Sequence, residues 1–149
     1  MKKKSIIGLI LVCILSVLIN IFQFYKTKEY KSNEKYYTQM FKQNFDALEQ
    51  SFDLYNGSGA LTNESAIKNS VSIVENLKSI RELSSYRENK ATSEMLLYLS
   101  QFFVLNSDAY INENIDKVKS QLKEVSKDLD NEKSIKDFNE VLWKMVSKK

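Results

Sequence analysis

A chain of 149 residues with no histidine, no proline, three glycines and one cysteine lacks the usual proton shuttle near neutral pH, and it cannot build a Ser-His or Cys-His nucleophile. Lys2, Lys3 and Lys4 supply three of the 22 basic residues and all 19 acidic residues follow Lys26, so 19 charges of each sign stand from Lys26 onward. That balance excludes the basic patch a nucleic-acid partner requires, and the lone Cys13 leaves the remainder with neither an internal disulfide nor a thiolate metal site.

The first predicted element is membrane-spanning. Between Lys4 and Lys26 run 21 uncharged residues, which as a helix cover roughly 30 Å of hydrocarbon. Phe22, Phe24 and Tyr25 gather at the C-terminal end, where aromatic rings settle at headgroup level. No pair of small residues follows the run at the spacing of a signal-peptidase site, so the segment reads as a retained anchor rather than a cleaved signal. Leu11 and Val12 before Cys13 likewise do not suit a lipoprotein. Lysines flank the run on both sides, but those at 2–4 are contiguous and abut it, which favours an inside amino terminus, as does an exterior domain without thiols. The expected layout is a cytoplasmic tail over 1–4, a transmembrane anchor over 5–25 and an extracytoplasmic helical domain over 26–149. It is similar in architecture, though not in motif, to small bacterial envelope proteins.

Within the anchor, Cys13, Ser16, Asn20 and Gln23 step by three, four and three and share one helical face. In lipid, small and amide side chains provide close approach and interhelical hydrogen bonds of about 1 kcal/mol each. This stripe is the expected seam for lateral association with a second copy or another membrane protein. The alternative is that Asn20 and Gln23 snorkel outward while Ser16 bonds its own backbone.

The same helix is expected to leave the bilayer unbroken, presenting Tyr37, Phe41, Phe45, Leu48, Phe52 and Tyr55 on one face and stopping at "NGSG", 56–59. Tyr37, Phe41 and Phe45 are candidate contacts for an apolar ligand or partner, although core packing is the commoner fate of such a stripe. A second helix opens at Thr62 or Asn63 and carries Ile67, Val71, Val74, Leu77 and Ile80, with Leu83 near its end. The polar run 84–93 reads as a turn, and 94–105, apolar on nearly all sides, as the most buried segment. "NSD" at 106–108 either interrupts the helix or continues through it. Ile111, Ile115, Val118, Leu122, Val125 and Leu129 form a heptad-like series, too short for an autonomous coiled coil. The last helix is expected to start near Ser134 and to present Ile135, Phe138, Leu142 and Met145, with Trp143 off that face as a packing or contact residue. The fold class expected is all-α, an up-and-down bundle of four or five helices whose first continues the membrane span.

Chemistry-bearing motifs are sparse. Glu113 with Asp116, and Asp137 with Glu140, read as solvated faces balanced by neighbouring lysines. "DLDNEKSIKDFN", 128–139, opens like a calcium loop but has Lys133 where the turn needs glycine and Asn139 where a bidentate glutamate belongs, so a charged interhelical turn is expected. No metal, cofactor or catalytic residue is expected, and the chain does not read as an enzyme. Together these features point to a membrane-anchored, non-catalytic interaction module of the cell envelope whose partners are the lipid bilayer and either an envelope protein or itself. A ligand-sensing bundle that signals through a membrane partner is the alternative.

Overall fold

With no proline anywhere and glycine only at positions 8, 57 and 59, the described helices contain no proline to break them and only Gly8 as glycine. The computed structural model describes residues 2–52 and 63–147, with side chains over 13–52 and 64–147. Among these residues five helices form: α1 (Lys2–Ser51), α2 (Asn63–Arg81), α3 (Lys90–Leu105), α4 (Asp108–Lys127) and α5 (Glu132–Val146). Among the described residues there is no strand, and the all-α bundle is as expected. Tyr55, the "NGSG" break and Thr62 lie outside the described residues.

Local side-chain chemistry sets the boundaries that hydrophobic spacing left open. Asn89 caps α3 by accepting the Thr92 N–H at 3.0 Å, so the turn occupies 82–89 rather than 84–93 and Leu83 stands in it, exposed. Ser107 accepts the Tyr110 N–H, which divides 94–130 into two helices. Asn131 accepts the Ser134 N–H at 3.2 Å, so α5 begins two residues before Ser134. The acidic run 128–131 is a tight turn in which Asp128 Oδ1 accepts the Asp130 N–H at 3.1 Å.

The helices close into a ring. α1 packs on α2 and α4, α2 also on α3, and α5 fits between α3 and α4. Ser51 meets Ser70 while Thr38 meets Ser85, which sets α1 and α2 antiparallel. Asn139 meets Ala91 and Trp143 meets Tyr98, contacts that advance in the same sense along α3 and α5, with α4 as the return. The core draws on every helix: Phe41, Phe45 and Leu48 from α1, Val74 and Leu77 from α2, Met95, Leu99 and Phe102 from α3, Ile111, Val118 and Leu122 from α4, and Ile135, Phe138 and Leu142 from α5. The heptad-like series of α4 is buried throughout, Leu129 included. α3 departs from expectation, because Leu97, Val104 and Leu105 stay exposed on its outer face while Met95, Leu96, Leu99, Phe102 and Phe103 are buried.

Among the described residues no helix is long and apolar enough to cross a membrane. The expected span 5–25 lies within α1, but the side chains of 5–12 fall outside the described residues. The described remainder, 13–25, covers roughly 20 Å at 1.5 Å per residue, short of the roughly 30 Å of hydrocarbon, and so does not by itself support the transmembrane assignment.

Candidate functional site

The structure sorts the candidate residues into three places. Cys13, Ser16, Asn20 and Gln23 sit along α1 with exposed side chains, surrounded by equally exposed Ile14, Leu15, Val17, Leu18, Ile19, Ile21, Phe22 and Phe24. No bundle helix covers this part of α1. Asn20 shares a shallow surface groove of about 440 Å³ with Val17, Ile21, Phe24 and Tyr25, and Lys26 Nζ lies 5.9 Å from the Phe22 ring centroid.

Phe41 and Phe45 are fully buried, their rings stacked at 6.2 Å, with Tyr86 against Phe41 at 5.0 Å. They are core residues and line none of the grooves described below. Tyr37, one turn earlier, is half-buried and lines a groove of about 300 Å³ between α1 and the 82–89 turn, with Tyr30, Glu34, Leu83 and Arg87 among its other walls. Tyr30 and the Glu88 carboxylate raise the pKa of the Arg87 guanidinium above its ordinary value.

Trp143 is 53 % exposed and lines a third groove, of about 420 Å³, between α3 and α5. Its ring packs on Tyr98 at 5.6 Å and 50°. Glu94, Lys136, Asn139 and Glu140 complete the walls. Asn139 is 6 % exposed, donates from Nδ2 to the Ala91 carbonyl at 2.9 Å, and leaves its buried Oδ1 with no donor. Lys136 is held by Glu132 at 3.3 Å. The sequence marked Trp143 by its position off the apolar face, but Glu94 and Tyr98 carried no mark and Asn139 was noted only as a mismatch to a calcium loop. Their grouping depends on the parallel packing of α3 and α5, which no local spacing encodes.

Among the described residues, the other carboxylates marked by the sequence stay on the surface. Asp137 pairs with Lys133 at 2.8 Å on the surface of α5, Glu113 and Asp116 are exposed, and among the described residues no three acidic or sulfur side chains gather as a metal site. Tyr86 is a buried acid of the core. Burial, then the nearby Asp130 carboxylate, push its phenol well above the ordinary tyrosine value. Comparison with known proteins supplies no relative: no family model, curated protein or solved structure matches the chain.

Proposed function

We propose that the chain is a membrane-anchored, non-catalytic interaction module of the cell envelope, with an inside amino terminus and an extracytoplasmic helical domain. The observation that carries this reading is α1 itself. One helix runs from the uncharged segment into the bundle, and its large apolar side chains over 14–25 are about half exposed or more, while Phe41, Phe45, Leu48 and Phe52 are buried. Exposed apolar area of this extent needs a cover, and lipid or a second helix in lipid supplies one.

The test is a pair of reporters fused after Lys149, one active only in the cytoplasm and one only outside it, together with carbonate extraction of membranes. Activity of the external reporter with retention in the membrane fraction supports the proposal. An active cytoplasmic reporter, or release by carbonate, would overturn it. A substrate turned over by the purified protein, with turnover lost on replacing one carboxylate, would overturn the non-catalytic part.

A second reading, a ligand-sensing bundle, draws support from the groove between α3 and α5. Its volume is within the range of small-molecule sites, and it replaces the Tyr37, Phe41 and Phe45 location, since the two phenylalanines are sealed in the core.

A further inference from the structure

The groove between α3 and α5 is lined almost entirely by groups that accept hydrogen bonds or attract positive charge. Tyr98 and Trp143 present aromatic rings, whose faces are electron-rich. Glu94 stands on α3 and Glu140 on α5, and among the described residues neither carboxylate is held in an ion pair. Lys136, the cation beside them, is engaged by Glu132.

Asn139 adds an acceptor that nothing in the fold uses. The Ala91 carbonyl can only accept, so its contact with Nδ2 at 2.9 Å decides which end of the amide faces α3. Oδ1 is then a buried acceptor without a partner, an unfavourable state unless a donor is brought to it. An anion would meet two carboxylates here, and an apolar guest would desolvate them while leaving Oδ1 unsatisfied. A nitrogen-centred cation answers each group: its charge suits the rings and carboxylates, and its N–H groups suit Oδ1.

We propose that this groove binds an organic cation, an ammonium or guanidinium group, seated against Trp143 and Tyr98 between Glu94 and Glu140, with an N–H given to Asn139 Oδ1 once a side-chain movement opens that buried atom to the groove. The same chemistry has two sources, a free polyamine or a lysine or arginine side chain of a partner protein. The proposal does not rest on membrane anchoring.

Trp143 is the only tryptophan in the chain, so its fluorescence reports on the groove directly. The full-length protein, in detergent micelles and phosphate buffer free of amines, is titrated with spermidine and, separately, with a lysine-rich peptide. A glutamate-rich peptide of equal length serves as control. A saturable change with either cationic probe supports the proposal: with spermidine the source is a free cation, with the peptide alone it is a side chain. The double variant E94Q/E140Q should weaken binding roughly tenfold, and K136Q should strengthen it about threefold by removing a like charge. All three positions are exposed, and an unchanged helical circular-dichroism signal verifies that the variants fold. No saturable change with either cation, or equal affinity in the double variant, would overturn the proposal.

Discussion

Thr38, on α1, accepts the backbone N–H of Ser85 at 2.9 Å while lying 2.8 Å from the Glu34 carbonyl, one turn back on its own helix. This hydroxyl pins the turn 82–89 to the first helix at the level where the bundle begins. Thr38→Val keeps the shape and removes the acceptor. It should cost about 1 kcal/mol and lower the thermal midpoint by a few degrees, read by circular dichroism. An unchanged midpoint would show that water replaces the contact at no cost.

Two aromatic candidate contacts, Phe45 from an apolar stripe and Trp143 from off one, should differ in what their removal costs. Phe45→Ala empties a fully buried site and is expected to cost 3–5 kcal/mol, roughly. Trp143→Ala removes a half-exposed ring and should cost about 1 kcal/mol or less. Urea unfolding of both variants measures the contrast, and similar losses would mean that Trp143 is structural.

Asn139 makes one hydrogen bond and leaves one acceptor unmet. Asn139→Leu removes both, so the loss of about 1 kcal/mol should be largely offset by relief of the unsatisfied oxygen. Asn139→Asp cannot donate to the Ala91 carbonyl when ionised. Burial would raise its folded pKa above the ordinary carboxylate value, so the variant's stability should be greatest at low pH and fall as pH rises past about 4. A pH-independent stability for Asn139→Asp would mean that the site admits water.

Tyr86 supplies a pH dependence in the wild-type chain. Its phenol is raised in the folded state, first by burial and then by Asp130, so the protonated form is the stable one. The contribution is complete below the unfolded value of about 10 and is lost as pH rises above it. Alkaline unfolding should therefore steepen above pH ~10, and Tyr86→Phe should flatten that dependence. Because the hydroxyl has no bonding partner at good geometry, the variant should be no less stable at pH 7.

The stripe on α1 gives the membrane proposal its own test. Asn20→Leu should leave insertion intact and weaken lateral association by about 1 kcal/mol, roughly fivefold. Oxidative crosslinking through the exposed Cys13 reports the same contact, since a disulfide requires α-carbons within about 7 Å. Intact complexes in the variant together with no crosslink would reduce the stripe to a snorkelling edge.

Much of this fold was written into residue spacing. The α4 series from Ile111 to Leu129 and the α5 face of Ile135, Phe138, Leu142 and Met145 are buried where the 3.6-residue period puts them. Helix starts were less legible, because Asn89, Ser107 and Asn131 compete with neighbouring Ser, Asp and Thr residues that are equally able to cap. The candidate site was the least legible part. Glu94 and Glu140 are ordinary surface carboxylates until α5 is laid parallel to α3, and Asn139, read against a calcium loop as a missing ligand, is instead a buried amide joining two helices.

The ring order carries a consequence for how the molecule is made. α5 lies between α3 and α4, yet it is the last of the five helices to leave the ribosome. Until Ile135, Phe138 and Leu142 arrive, the inner faces of α3 and α4 have no shared neighbour, and the apolar surfaces of both remain open. A chain threaded amino terminus first is thus held in an unclosed state until α5 has emerged. Closure of the core therefore waits on α5 rather than on the folding of any single hairpin.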